Sequence, residues 1–196
     1  MPSKQSTAPH IEIESRAQWR EWLAANHDTC TGAWLVTFKT ASGRGRVTYD
    51  EAVEEALCFG WIDSVSGKVD DLRAKLWFCP RKPKSGWSKL NKDRVERLIA
   101  EGLMTPAGQA VIDAAKQSGA WSLLDEVEAM VMPADLAAAL DANPAAKANF
   151  DAFPKSVRKG ILDLMRSAKR PETRAKRIAD IVRFAAENRR YGFERK

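Results

Sequence analysis

The segment Pro80-Arg81-Lys82-Pro83-Lys84-Ser85-Gly86-Trp87-Ser88-Lys89-Leu90-Asn91-Lys92 holds the residue types best suited to binding an anion in this chain of 196 residues. A guanidinium meets a carboxylate or phosphate through two parallel hydrogen bonds, and an indole stacks on a planar ligand. The run ends where a helix starts, and the free backbone N–H groups there favour negative charge. Trp61, Asp63 and Trp77 lie just upstream. Together they define a candidate surface of Trp61, Asp63, Trp77, Arg81, Lys82, Lys84, Trp87, Ser88, Lys89 and Asn91. In this reading Arg81 and Lys84 hold an anionic group, Trp87 stacks on it, and Ser88 and Asn91 position it. The competing reading makes Trp87 a plug between sheet and helices, with the lysines solvated.

Catalytic constellations are sparse. Of the two histidines, His10 falls in a polar N-terminal stretch, and His27 falls at the end of the first helix, where a cation complements the dipole. No strand–GxSxG–helix pattern and no Cys/His arrangement occurs. Cys58 precedes Gly60 on an apolar helix and reads as a core thiol. Glu51, Glu54 and Glu55 read as the acids a helix N-terminus favours. Asp63, beside bulky aromatics, is the acid that would need a cationic partner if buried. Gly43-Arg44-Gly45-Arg46 sits between a strand and a helix, but Thr48 stands where a dinucleotide loop needs its third glycine, and no GK[ST] follows. Cys30, Cys58 and Cys79 are odd in number, far apart and without a CxxC pair, which argues against a disulfide framework or zinc site and fits a reducing compartment. No cofactor and no metal is expected.

Periodicity supplies the elements that must position these groups. Ser15-Arg16-Ala17-Gln18 has the form of a capping box, and Trp19, Trp22 and Leu23 then make one apolar stripe. Residues 33–39 alternate as a strand with Trp34, Val36 and Phe38 on one face. Thr48-Tyr49-Asp50-Glu51 opens a short helix over about 49–59. Strand-like runs follow at 61–69 and 72–79, the second setting Leu72, Ala74, Leu76 and Phe78 against Arg73, Lys75, Trp77 and Cys79. From Asn91 the pattern is helical, with a Schellman stop at Gly102-Leu103 and a proline-started helix at Thr105-Pro106. Later helices start near Pro133, Pro144, Pro154 and Pro171.

The fold expected is α+β: a small antiparallel or mixed sheet with flanking helices, followed by an all-helical C-terminal half. The expected domains are a disordered tail over 1–10, an α+β domain over 11–119, a linker over 120–132 and a helical module over 133–196. At 44% hydrophobic and 30% charged, the chain is too apolar to be disordered and rich enough for a core of its own. No apolar run reaches the roughly 18 residues of a membrane span, and the first ten residues lack the apolar stretch of a signal peptide, so the expected location is the cytoplasm. The net charge of +6 divides unevenly, with +5 over residues 81–97, −6 over 98–154 and +9 over 155–196. Such blocks either steer a polyanion or pair within the molecule.

Three stretches, Thr48–Asp63 (TYDEAVEEALCFGWID), Pro80–Met104 (PRKPKSGWSKLNKDRVERLIAEGLM) and Ala168–Ile178 (AKRPETRAKRI), resemble the YdeI/OmpD-associated family of bacterial proteins, also labelled bacteriocin-protection. The resemblance runs from about residue 12 to 190. It implies a YjbR/CyaY-like α+β fold and a role in tolerance of bacteriocins or cationic antimicrobial peptides, including association with an outer-membrane porin. It brings no catalytic residue set and no cofactor. The expectation is therefore a non-catalytic cytosolic protein that binds an anionic small molecule or a protein partner, of undetermined oligomeric state. Nucleic-acid binding through the basic-aromatic surface is one alternative. A small-molecule enzyme using Asp63 is the other.

Overall fold

The two capping boxes form as their sequences dictate. In the computed structural model, which describes residues 5 and 7–193, the Ser15 hydroxyl accepts from the Gln18 N–H at 3.3 Å and the Gln18 side chain accepts from the Ser15 N–H at 3.2 Å. That pair opens α1 (Arg16–Asn26). Thr48 and Glu51 open α2 (Tyr49–Cys58) in the same reciprocal way. An 11-residue helix is marginal in water by itself, so α1 depends on packing. Its Trp19 and Leu23 are fully buried, each contributing about 1.5–3 kcal/mol. The Trp19 Nε1–H also donates to the Ala52 carbonyl at 3.0 Å, fastening α1 to α2.

Four strands form one mixed sheet: β1 (His10–Ile13), β2 (Ala33–Phe38), β3 (Trp61–Lys68) and β4 (Arg73–Pro80), in the order β1-β2-β4-β3. β1 runs parallel to β2, whereas β2–β4 and β4–β3 are antiparallel. Pairing slips between Asp63 and Ser66, where β3 carries an irregularity. β2 was expected to bury one face and buries both. Ala33 and Leu35 join the core beneath the helices. Trp34, Val36 and Phe38, on the opposite face, are also buried. There Trp34 packs edge-on against Trp77 at 5.4 Å and donates to the Gln5 carbonyl at 2.9 Å, while Arg44 lies 3.9 Å over the Phe38 ring.

The chain continues as α3 (Lys89–Ala100) and α4 (Pro106–Ser118). α3 ends in the predicted Schellman motif: the Leu103 N–H reaches the Leu98 carbonyl and the Gly102 N–H reaches the Ile99 carbonyl, both at 3.0 Å. Thr105 caps α4 and also donates its hydroxyl to the Cys58 carbonyl. The fold divides into compact units at Ser122/Leu123. The second unit is α5 (Asp125–Glu128), α6 (Ala134–Asp141), α7 (Pro144–Ala152), α8 (Lys155–Arg166) and α9 (Pro171–Ala186), packed on a core of their own that includes Leu136, Phe150, Ile161 and Met165. The segment 120–132, read as a linker, contains α5 and the division. Among the described residues, no helix is long and apolar enough to cross a membrane.

Candidate functional site

Arg81 follows the last residue of β4 and extends the ladder by one step, its N–H donating to the Gly60 carbonyl at 2.9 Å. A turn at Lys82–Ser85 then folds the chain back. This return places the Arg81 guanidinium over the Trp87 ring, 3.9 Å from its centre, with Nη2 donating to the Gly86 carbonyl at 2.5 Å. Arg81 is only 8% exposed, and its Nε is buried without a hydrogen-bond partner. Burial pulls this guanidinium down to about 10, although the charge of Asp63 works to hold it up.

Asp63, half-buried on β3, accepts from the Tyr49 hydroxyl at 2.9 Å. Tyr49 is 54% exposed, and partial desolvation of its phenol together with that hydrogen bond pushes it up to about 12. Next along α2, Asp50 pairs with the buried Arg94, whose other amino group donates to the Asn91 side chain at 2.9 Å. Tyr49, Asp63, Asp50, Asn91 and Arg94 are thus linked by contact, and Asp63 couples this chain electrostatically to Arg81.

The ten sequence-predicted residues separate into groups. Asp63 acts on Arg81 through its charge without an ion pair, and Trp87 lies beneath Arg81. Trp87 was expected to stack on a ligand, but at 1% exposure it has no free face: Arg81 takes one side and Trp121 packs at 5.1 Å. Ser88 and Asn91 were expected to position the ligand. Instead the Ser88 hydroxyl caps α3 by accepting from the Asn91 N–H, and the Asn91 carbonyl oxygen is used by Arg94. Trp61 is 1% exposed and serves as a core pillar, donating to the His27 carbonyl at 3.0 Å. Trp77 is buried against Trp34. Lys82 and Lys84 are exposed, and Lys89 pairs with Asp93 at 3.0 Å on the surface.

Sequence reasoning missed Tyr49 and Arg94. Arg94 lies one turn before Leu98 on the buried side of α3, so an arginine on an apolar stripe was the available signal. It also misread Glu54 and Glu55. These lie beyond the first turn of α2, within a run buried from Ala52 to Cys58. Glu55 accepts from Arg16 at 2.5 Å and from Arg20 at 2.6 Å, while Glu54 pairs with Arg16 and with Arg97. The cluster binds α1, α2 and α3 to one another.

The basic blocks are partly paired within the molecule. Arg97 pairs with Glu54 and Glu101, Arg166 with Asp163, Arg174 with Asp135, and Arg183 with Asp180. Arg177 donates to the Leu164 carbonyl and Arg174 to the Met165 carbonyl, capping the C-terminus of α8. The Ala168–Ile178 motif therefore has a structural use.

Residues 11–111 match the family model described as Domain of unknown function (DUF8412), which covers more than half of the chain. The chain belongs to that family. Residues 129–188 match the model described as Bacteriocin-protection, YdeI or OmpD-Associated. The DUF8412 region holds the sheet, α1–α3 and the Arg81–Asp63 site, whereas the YdeI or OmpD-associated match falls in the helical second unit. Thr48–Asp63 and Pro80–Met104, two of the stretches that suggested that family, thus lie within the DUF8412 match. No curated protein matches the chain, and no solved structure does.

Proposed function

We propose that the DUF8412 unit is a non-catalytic binding module for a small anion held at Arg81, acting in the cytosol within a bacteriocin- or peptide-tolerance role. The observation that carries the binding reading is one of charge. Four charged side chains are buried among the described residues: Glu54, Glu55, Arg81 and Arg94. Three of them have ion pairs. Arg81 has none within 4 Å among the described residues and leaves Nε unpartnered. Burying a cation without compensation is costly, and an arriving anion would remove that cost. With Asp63 near, the site suits a single negative charge better than a polyphosphate. The tolerance role takes its support from the family description of residues 129–188. The pairing of the basic blocks and the burial of Trp87 favour this reading over a nucleic-acid surface.

The test is a thermal-shift screen at constant ionic strength with acetate, citrate, inorganic phosphate and AMP, on the natural protein and on Arg81→Met. A stabilisation of the natural protein that Arg81→Met loses supports the site. No response to any of the four, or an equal response in the variant, overturns it. Fluorescence anisotropy against duplex and single-stranded DNA at physiological salt should show no binding.

A further inference from the structure

We infer that Cys30 and Cys79 act together as a dithiol site for a soft, thiophilic centre. Both are half-buried, and both line an open cleft of about 840 Å³ in the first unit. The third cysteine, Cys58, is fully buried, and burial pushes its thiol up. The cleft therefore selects two sulfurs of three.

Their placement follows from the sheet. β2 and β4 pair Ala33 with Phe78, so one further step sets Gly32 level with Cys79. The Cys30 thiol is held at that position, donating to the Gly32 carbonyl at 3.3 Å. Gly32 closes the corner because any Cβ there would collide with the Trp77 ring. Trp77 and Pro80 give the cleft an apolar wall, and Asp28 and Lys82 line it with charge. His27 also lines it, but its Nδ1 lies 3.0 Å from the Leu23 carbonyl. No group of three or more His, Cys, Asp or Glu that could hold a metal ion occurs among the described residues. A two-sulfur donor set suits soft centres that accept two thiolates, unlike hard cations that need several oxygens.

Phenylarsine oxide is the probe. Each thiol gives its proton to the arsenic-bound oxygen, which leaves as water, and two As–S bonds replace the As–O bond. Arsenic stays trivalent, so no oxidant or reductant takes part. The reduced full chain is titrated with the arsenical, remaining thiols are counted after denaturation, and the adduct is mapped by peptide mass spectrometry. The expected result is two thiols lost per arsenical, located at Cys30 and Cys79. Cys30→Ser and Cys79→Ser should each weaken binding on the order of 100-fold, because the second bond forms at high effective concentration. Cys58→Ala should bind as the natural protein does. Loss of one thiol per arsenical, an adduct on Cys58, or full affinity in either serine variant overturns the inference. The thiol count on the natural protein decides the matter even if a variant folds poorly.

Discussion

The Arg81 guanidinium lies 3.9 Å from the centre of the Trp87 ring, and the two side chains bury each other at 8% and 1% exposure. The partners differ in what they contribute. Trp87 joins the core of the first unit, and truncating a buried aromatic leaves a cavity. Trp87→Ala should cost about 3–5 kcal/mol. Arg81→Met keeps an apolar cover on the indole and removes an uncompensated charge, while stranding only the Gly86 carbonyl. Its stability should stay within about 1 kcal/mol of the natural protein. Urea denaturation of both variants measures this. If Arg81→Met costs as much as Trp87→Ala, then Arg81 is architecture and its use as an anion site fails.

Glu55 makes the opposite case, a buried charge that is well matched. Burial works against Arg16 and Arg20, yet their bonds to Glu55 lift both above the ordinary guanidinium value. Glu55→Ala would leave two half-buried arginines without their main partner, which should cost about 1.5–3 kcal/mol. Glu51→Ala removes only one arm of a capping box on the same helix and should cost about 1 kcal/mol. Denaturation curves for the two variants rank them directly. Equal losses would mean that the Arg16–Glu55–Arg20 cluster adds nothing beyond helix propensity.

The contrast between Glu51 and Glu55 shows where the sequence was legible. Local rules placed Glu51, Ser15, Thr105 and the Gly102-Leu103 stop correctly, because each depends on neighbours within one turn. They could not place Glu54 and Glu55, whose partners Arg16, Arg20 and Arg97 lie some forty residues away on two other helices. A small sheet, antiparallel or mixed, with a helical second half followed from periodicity, but β1, whose parallel pairing with β2 makes the sheet mixed, did not, because four residues are too few to show an alternation. The second buried face of β2 did not, because it depends on Trp77 and Gln5 arriving from elsewhere. At the candidate site, residue type alone singled out Arg81 and Asp63, the pair on which the proposed function rests. It failed for Trp87, Ser88 and Asn91, since an indole, a hydroxyl and an amide serve a core, a helix cap or an arginine as readily as a ligand.

Tyr49 carries a pH signature of the site. Its phenol ordinarily ionises at 10.0, and partial desolvation with the Asp63 hydrogen bond raises it to about 12 although the ring is largely exposed. Between these values the folded chain keeps a proton that the unfolded chain has lost. The associated stability is therefore complete below 10 and disappears as pH rises towards 12. Phenolate absorbance in a Tyr191→Phe background should show the raised midpoint, and Asp63→Asn should lower it. Tyr49→Phe should flatten the alkaline decline in stability. Ionisation of Tyr49 near 10 would mean that its hydroxyl is not held by Asp63 in solution.

Arg177 tests whether the basic C-terminal block is a surface or a scaffold. Its Nη1 donates to the Leu164 carbonyl and to the Ser167 hydroxyl, where the last carbonyls of α8 have no partners within the helix. A guanidinium there supplies hydrogen bonds and a charge that complements the helix dipole. Arg177→Ala should lower the stability of the second unit by about 1–2 kcal/mol. Arg177→Lys should recover part of that, because an ammonium keeps the charge and can donate to both acceptors, but from a shorter stem. Circular dichroism melts give the stabilities, and anisotropy with labelled DNA runs in parallel. A loss of stability with no change in DNA affinity makes the motif a helix cap. A loss of DNA affinity with unchanged stability would reverse that assignment and return the +9 segment to the nucleic-acid reading.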